Sequence, residues 1–362
     1  MSRHHLGLFV GTLIVRRGLG LSSARLMSAP LASQPGGAVM PKVRKGPKGG
    51  NKAPIFLVDP ANRLFTAENG QLRHSVSCFS FYHFMPIDDP EAAARGLETA
   101  LSAMGPLETF AGTLYLAKEG MNGQFSVATD RSDEFEDMLQ QSALNILGTT
   151  APLDLNPGAT LPAGIEAPFK RFRVVSRPQI LTDGLSEHIG GGDNVNWDWC
   201  DAGVELEAMD WHAELSATEG QSHVLLDCRN AYETDLGAFK GATPLGTAQF
   251  SESWDAIDRA VAQLPSKDEP VFAYCTGGIR CVKVGAYLKQ RHGLSNVRRL
   301  RHGIIGYERW VETECAGEKA SKDAAAKAGT AETGNLFKGT NFIFDQRPKK
   351  NGVAGPLPLQ EG

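Results

Sequence analysis

The sequence predicts an α/β protein with two folded domains. The chain has 362 residues, 41% of them hydrophobic, which is enough for about two hydrophobic cores. Strand-like and helical segments follow the order βαββαβ in the first half, and strands alternate with helices in the second half, which is typical of a parallel sheet covered by helices. No apolar run reaches the roughly 18 residues that a membrane-spanning helix needs, so no membrane partner is expected.

The first domain is assigned to residues 72–183, where the hydrophobic periodicity changes between that of a strand and that of a helix. Asn122-Gly123 is a strong hairpin signal, and Asp130 is a suitable N-cap for the helix that follows it. The order βαββαβ predicts a ferredoxin-like domain. The predicted elements are strands over 75–84, 109–117, 124–128 and 172–180 and helices over 90–104 and 130–141.

Residues 184–208 are predicted to form a linker, because much of this stretch is rich in Gly, Asn and Asp. Its tryptophans, Trp197 and Trp199, are expected to pack on a domain surface rather than to stack on a base. A parallel α/β domain is predicted over 209–314, with Cys275 at the carboxyl end of a central strand, where such sheets bind ligands. The predicted strands are 222–228, 270–275 and 296–301, and the predicted helices are 211–217, 249–264, 281–291 and 303–313.

The two ends of the chain differ in composition from the predicted domains. Residues 1–54 contain nine Lys or Arg, several serines and no acidic residue, which is typical of an organellar presequence, mitochondrial or plastid, followed by a disordered linker. The alternative is a disordered basic tail that leaves the chain in the cytoplasm. Beyond the second domain we predict a flexible insertion over 315–335, an ordered segment over 336–347 and a tail over 348–362.

The most informative motif is Cys-Thr-Gly-Gly-Ile-Arg-Cys at positions 275–281, between an apolar strand and a helix. The glycines let successive backbone N–H groups turn toward one point, and the helix adds partial positive charge at its first turn. Both effects favour the thiolate, so the pKa of Cys275 is expected to lie below its usual value of about 8.5. Arg280 either adds a permanent cation or braces the loop. The residues predicted to cradle an anion are Thr276, Gly277, Gly278 and Ile279.

Loop length and a second cysteine bear on the chemistry. From Cys275 to Arg280 the loop spans six residues, which is shorter than the cysteine-arginine loop of phosphatases. A smaller ring of amides suits a terminal sulfur better than a phosphate, so persulfide chemistry is favoured. Cys281 is placed either to resolve an oxidised Cys275 as a disulfide or to be a small buried helix residue. The six cysteines include no Cys-x-x-Cys pair, so no metal site is expected.

Together with its neighbours, the loop resembles a rhodanese domain. A buried strand ends in Asp227 and Arg229, with Glu233 following, as in the rhodanese Asp-x-Arg segment. Residues 237–242 stand where the family has Gly-His-Ile-x-Gly-Ala, and His302 replaces one glycine before the last helix. The resemblance implies that the three charged residues lie near the loop, where they either support the thiolate or the substrate, or form a structural salt bridge around Arg229.

A narrower resemblance covers roughly residues 75 to 347 and rests on four further motifs. These are Phe-Tyr-His-Phe at 81–84, Leu-Ala-Lys-Glu-Gly-Met-Asn-Gly at 116–123, Phe-Lys-Arg-Phe at 169–172 and Phe-Ile-Phe-Asp-Gln-Arg at 342–347. On these motifs the chain is identified as a member of the rhodanese-type tRNA uridine hydroxylases, which make 5-hydroxyuridine at the wobble position.

Membership implies tRNA as partner and dioxygen as co-substrate. The sequence shows no flavin fingerprint and no His-and-carboxylate iron triad, so no cofactor is visible. We therefore predict that Cys275 and Arg280 are the catalytic residues, with Arg280 and the loop amides stabilising negative charge.

The formal net charge is −4 and residues 1–54 carry only positive charge, so the rest of the chain is acidic. Contact with tRNA therefore requires a local basic surface. Two basic clusters are candidates, and each is equally well interpreted as a solvated face. The predicted RNA contacts are Lys118, Lys170, Arg171, Arg173 and Arg299. The wider clusters also contain Arg177, Lys289, Arg291, Arg298 and Arg301.

Three functions from different classes are compatible with the sequence. The first is hydroxylation of tRNA uridine, in which Cys275 adds to the pyrimidine or carries the oxygen. The second is a sulfurtransferase, in which Cys275 takes a sulfane sulfur from a donor and passes it to an acceptor thiol. The third is a non-catalytic binding module, since rhodanese folds also exist as scaffolds. The sequence leaves open which tRNAs are modified and what the oligomeric state is.

Overall fold

The structure of the protein is a computed structural model that describes residues 59–66, 69–149, 151–190, 196–218, 223–321 and 334–342. The predictions for residues 1–54, for most of 315–335, for 343–347 and for the tail lie outside the described residues. Within the described ranges, no helix is both long enough and apolar enough to cross a membrane.

The first domain has the predicted order of strands and helices, followed by one more strand. The start of α1 can be recognised from local sequence signals. The Asp89 side chain accepts a hydrogen bond from the Ala92 N–H at 2.8 Å, and Pro90 occupies the first helical position. The elements are β1 (Val76–Phe84), α1 (Pro90–Ser102), β2 (Phe110–Ala117), β3 (Gly120–Ala128), α2 (Ser132–Leu147), β4 (Asn156–Leu161) and β5 (Phe172–Ser176).

The strands of this domain form one sheet in the order β4-β1-β3-β2-β5. The first four are antiparallel in the ferredoxin-like order, which confirms the predicted fold. The prediction that residues 172–180 supply the fourth strand was wrong. That strand is β4, whose Pro157 and Gly158 weaken its strand signal, whereas the β-branched segment β5 lies parallel to β2 at the opposite edge.

The hairpin predicted at Asn122-Gly123 was also wrong. Lys118 and Glu119 connect β2 to β3, while Asn122 and Gly123 lie inside β3. Packing requires the glycine here, because a Cβ on Gly123 would lie 2.4 Å from the Phe81 ring. The Asn-Gly pair therefore reflects a close approach to an aromatic ring and not a turn.

The second domain alternates strands and helices, as predicted. After α3 (Leu185–His188), its core elements are β6 (Val204–Leu206), α4 (Ala208–Ala217), β7 (Val224–Asp227), α5 (Ala231–Thr234), β8 (Gly237–Phe239), β9 (Thr243–Pro244), α6 (Trp254–Val261), β10 (Val271–Tyr274), α7 (Ile279–Gln290), β11 (Val297–Leu300), α8 (Gly303–Ser321) and β12 (Phe337–Gly339).

Five of these strands form a parallel sheet in the order β6-β11-β10-β7-β9. This confirms the predicted parallel α/β class. β10 is the central strand, and its four residues are all buried. Cys275 follows β10 directly, so the cysteine lies at the carboxyl edge of the sheet, as predicted.

Some segments predicted as linkers belong to the folded domain. The predicted linker contributes β6 to the edge of the sheet, and the predicted insertion begins with the last turns of α8. Trp197 stacks on Trp199 with ring centroids 6.1 Å apart and packs against Tyr287. β6 and the last turns of α8 were missed because such short segments lack the length and periodicity that indicate a strand or helix in a sequence.

The two domains are joined by a buried ion cluster. Lys283 on α7 lies 2.9 Å from both carboxylate oxygens of Glu119, which is in the turn of the first domain. The same ammonium lies 2.5 Å from Asp183 and 4.8 Å from the ring centroid of Trp199. Since the Lys283 side chain is fully buried, this cluster fixes the first domain against the helix that follows the cysteine loop.

Candidate active site

Cys275 lines a cavity between the two domains. The cavity has a volume of about 360 Å³, and the thiol residue itself is only 1% exposed. The loop residues Thr276, Gly277 and Ile279 form one wall of the cavity. The cysteine is thus covered, but it faces a space and not a solid core.

The cysteine loop directs a backbone N–H group at the sulfur, as the glycines predict. The N–H of Gly278 donates to Cys275 Sγ at 3.1 Å. Gly278 has φ 99° and caps α7, and a Cβ there would lie 2.7 Å from the Tyr82 hydroxyl oxygen. The glycine is therefore required both for the left-handed backbone and for the close approach of the first domain.

The direction of the pKa shift of Cys275 differs from the prediction. Burial raises the pKa of the Cys275 thiol well above its usual value, and the hydrogen bond to the Cys281 thiol raises it further. Arg280, through its charge and its backbone N–H, lowers the pKa of Cys275 but does not outweigh burial. The prediction of a lowered pKa was wrong, because the sequence shows the loop but not how completely the fold buries it.

Arg280 braces the loop and is already paired. Its guanidinium makes two hydrogen bonds to the Glu233 carboxylate, at 2.9 and 3.0 Å, and a third to the Cys228 carbonyl oxygen at 3.4 Å. Glu233 also accepts from the Thr276 hydroxyl at 2.9 Å. Of the two roles predicted for Arg280, the structure therefore favours that of a brace.

Asp227 and Arg229 form a separate pair beneath the loop. The Arg229 guanidinium donates to both Asp227 carboxylate oxygens, at 2.9 and 2.6 Å, and the Tyr274 hydroxyl donates to the same carboxylate at 2.8 Å. Both charged side chains are fully buried. This geometry matches the structural salt bridge that the sequence suggested as one alternative for Arg229.

The first domain supplies polar groups that the predicted site did not include. Ser80 and Tyr82 on β1 and Asn122 and Gln124 on β3 line the cavity. The Asn122 amide N–H donates to the Ile180 carbonyl at 3.2 Å, which fixes the orientation of its side chain. The motif at 116–123 signalled that this strand is important, but the sequence alone could not place it opposite the cysteine.

The basic residues predicted to contact RNA have different surroundings. Lys118 and Arg171 are exposed, Arg173 is half-buried, and Lys170 pairs with Glu166 at 2.6 Å. Arg299 is mostly buried and pairs with Glu205 at 3.2 Å, so its prediction as an RNA contact was wrong. Three neighbours from its cluster are paired as well, namely Lys289 with Asp201, Arg298 with Glu214, and Arg301 with Asp154 and Glu207.

Comparisons with known proteins agree with this architecture. The family model of the UPF0176 acylphosphatase-like domain matches residues 76–180, and that of the rhodanese-like domain matches residues 209–312. A protein of Legionella pneumophila (strain Corby) named tRNA uridine(34) hydroxylase is 30% identical over 268 residues, which cover 74% of this chain and 87% of the relative. The chain belongs to the tRNA uridine(34) hydroxylase family.

Other relatives of this family match with similar strength. The tRNA uridine(34) hydroxylase of Erwinia tasmaniensis is 32% identical over 271 residues, and the match covers 65% of its length. A solved rhodanese-like domain from Anabaena sp. is 18% identical, covers 36% of this chain and 90% of its own, and has a TM-score of 0.24. The family motif at 342–347 falls mostly outside the described residues, which end at Phe342.

Proposed function

We propose that this protein hydroxylates C5 of the uridine at position 34 of tRNA, with Cys275 as the reactive group. The observation that carries the proposal is the cavity in which the cysteine of a rhodanese loop faces polar side chains of the first domain. Its volume of about 360 Å³ lies in the range of small-ligand sites. A single flipped-out nucleotide fits such a site better than a helical stem does.

Substrate recognition is assigned to the first domain. The amide groups of Asn122 and Gln124 and the hydroxyl groups of Ser80 and Tyr82 offer donors and acceptors to the edge of a uracil base. Because Asn122 donates to Ile180, its amide oxygen is left to accept from the N3–H of uracil. The exposed Lys118 and Arg171, with Lys170 and Arg173, are assigned to the tRNA phosphates.

The chemistry requires two electrons in addition to dioxygen. One oxygen atom replaces the hydrogen at C5 as a hydroxyl group, and the other leaves as water after taking up two electrons and two protons. We assign the electrons to a thiol reductant, and the covalent step to Cys275, whose thiolate adds to the pyrimidine or whose oxidised form carries the oxygen. The Gly278 N–H, which already donates to the sulfur, stabilises the negative charge on it.

Nucleoside mass spectrometry tests this proposal. Cells that lack the protein are complemented with wild type, Cys275→Ala or Cys200→Ser, and their tRNA is digested and analysed for 5-hydroxyuridine. The nucleoside is expected with wild type and with Cys200→Ser, which changes an exposed cysteine away from the cavity. Full restoration by Cys275→Ala would refute the role of Cys275, and unchanged tRNA in the deletion strain would refute the function.

The cysteine loop also supports a sulfurtransferase as a second candidate. The Gly278 N–H that donates to Cys275 Sγ is equally suited to hold a persulfide. Incubation with thiosulfate and cyanide distinguishes the two functions. Rapid release of thiocyanate by wild type but not by Cys275→Ala, together with unchanged tRNA nucleosides in the deletion strain, would favour the sulfurtransferase.

The basic, acid-free residues 1–54 support an organellar location, which is part of the same proposal. A fluorescent fusion of the full chain is compared with one that lacks this segment. We expect the full chain in mitochondria or plastids and the shortened chain in the cytoplasm. Identical distributions would contradict the assignment.

A further inference from the structure

Three cysteines meet beneath the cavity, although only one of them faces it. Cys275 lines the cavity, whereas Cys228 and Cys281 do not line it and are fully buried. All three belong to the same hydrophobic cluster. A buried cysteine usually serves as a small apolar residue. A further function for Cys228 and Cys281 must therefore follow from how the three cysteines are arranged.

The fold brings the three cysteines together in a defined order. β7 and β10 are parallel neighbours with Asp227 paired to Tyr274, and the Cys228 N–H donates to the Tyr274 carbonyl at 2.9 Å. The next residues along the two strands, Cys228 and Cys275, therefore leave the sheet side by side. Cys281, in the first turn of α7, packs in the same buried cluster, and its thiol interacts with the thiols of both. Cys281 is thus the link between the two strand ends.

We propose that Cys228 and Cys281 form a disulfide that takes over the oxidation of Cys275. Hydrogen peroxide reaches Cys275 through the cavity and is attacked by the thiolate, a minor form at neutral pH, which gives a sulfenic acid with release of water. The Cys281 thiol attacks the sulfenic sulfur, which forms the Cys275–Cys281 disulfide and releases a second water. The Cys228 thiol then attacks Cys281 Sγ, which forms the Cys228–Cys281 disulfide and returns Cys275 as a thiol. In sum, two thiols and one peroxide give one disulfide and two waters.

The relay gives Cys228 a function that its position alone would not reveal. A sulfenic acid that persists at Cys275 is open to further oxidation to the irreversible sulfinic acid. Transfer of the disulfide to a pair that does not face the cavity frees the reactive thiol and keeps its oxidation state reversible by a dithiol reductant. The order of transfer follows from this arrangement, because the Cys281 thiol interacts with those of both partners.

Disulfide mapping tests the relay on the full chain. The reduced protein is treated with one equivalent of hydrogen peroxide, its remaining thiols are blocked with N-ethylmaleimide, and it is digested with trypsin and a glutamate-specific protease. Cleavage after Arg229 and Arg280 separates the three cysteines, and cleavage after Glu219 separates Cys228 from Cys200. The expected product is a Cys228–Cys281 peptide, two hydrogen masses below the sum of its parts, together with Cys275 blocked as a thiol.

Two variants make the test specific. Cys228→Ala, which keeps the backbone carbonyl that accepts from Arg280, should stop at the Cys275–Cys281 disulfide and show a several-fold rise in sulfinic acid at Cys275 under excess peroxide. Cys200→Ser, at an exposed position, should behave as wild type. Two results in wild type would overturn the proposal. One is a Cys275–Cys281 disulfide with Cys228 fully blocked by N-ethylmaleimide. The other is sulfinic acid at Cys275 with both Cys228 and Cys281 blocked. The mapping on wild type decides this even if Cys228→Ala does not fold.

Discussion

At the scale of single residues, the state of Cys275 depends on two opposing effects. The Gly278 N–H and Arg280 favour the thiolate, whereas burial and the Cys281 thiol favour the protonated form and raise the pKa of Cys275 well above its usual value. Since a thiol with a raised pKa loses its proton only at higher pH, less thiolate is present at neutral pH than in an exposed cysteine.

This raised pKa predicts how activity depends on pH. If the thiolate of Cys275 is the reacting form, kcat/KM should rise from about pH 6 to about pH 9 without a plateau near neutrality, because the thiolate fraction increases about tenfold per pH unit below the pKa. The rate of tRNA hydroxylation at limiting substrate measures it, with Cys275→Ala as the background. A profile that is already flat at pH 7 would show that the thiol is ionised in the free enzyme.

The pair of Arg280 and Glu233 predicts a large loss of stability on removing one charge. Glu233→Gln leaves a buried guanidinium without its carboxylate, which we expect to cost about 3–5 kcal/mol. Glu214→Gln is the matched control, because its partner Arg298 is bound at a similar distance, 2.8 Å, in a partly exposed pair, and its loss should cost at most about 1 kcal/mol. Urea unfolding of both variants measures the difference. Equal midpoints would mean that the loop does not depend on this brace.

At the scale of secondary-structure elements, β3 has two distinct faces. Asn122 and Gln124 line the cavity, while Gly123 packs against the aromatic core of the first domain and Phe125 belongs to that core but also reaches the cavity. The alternation of a strand places these neighbours on opposite sides. A substitution at Asn122 or Gln124 therefore acts mainly on the site, and one at Gly123 mainly on the core.

Gly123→Ala tests whether packing, and not a turn, requires the glycine. Its Cβ would meet the Phe81 ring at 2.4 Å, so we expect a loss of about 1–3 kcal/mol from overpacking. The control is Gly158→Ala on β4, where the nearest atom to a new Cβ lies 3.5 Å away, and where the change should stay within about 1 kcal/mol of wild type. Thermal unfolding compares them. Equal stability of the two variants would contradict the packing argument.

At the scale of the whole molecule, the site exists only because the two domains are held together. Lys283, Glu119 and Asp183 come from three separate parts of the chain and form one buried cluster. A second contact between the domains comes from the Asn156 amide, which donates to the His302 carbonyl at 3.0 Å. His302 adopts φ 58°, a left-handed conformation that favours glycine, and the resemblance places a glycine at this position in rhodanese domains.

Removal of the central charge of this cluster should loosen the domains. Lys283→Met leaves two carboxylates without their cation, so we expect a loss of about 3–5 kcal/mol and faster hydrogen exchange on both sides of the cavity. Lys289→Met is the control on the same helix, because its pair with Asp201 is partly exposed and should contribute less than about 1 kcal/mol. If exchange increased equally in both variants, the cluster would not be what joins the domains.

Binding of tRNA should depend on salt through the first domain. If Arg171 contacts a phosphate, Arg171→Ala should weaken tRNA binding and reduce the slope of log K against log salt by about 1. Arg298→Ala, in the paired cluster of the second domain, should leave the slope unchanged. Filter binding at several salt concentrations measures both. A change of slope with Arg298→Ala alone would move the RNA surface to the second domain.

The sequence by itself determined the two domains, the loop at Cys275 and the family. It also determined the order of strands and helices along the chain, apart from the fourth strand of the first domain. These depend on periodicity and motifs, which are local properties of the chain. Only the tertiary structure decided the direction in which the pKa of Cys275 is shifted, the carboxylate partners of Arg280 and of Arg299, and the position of Asn122 in the cavity that Cys275 lines. Burial and ion pairing arise between residues far apart in the chain, so no local pattern records them.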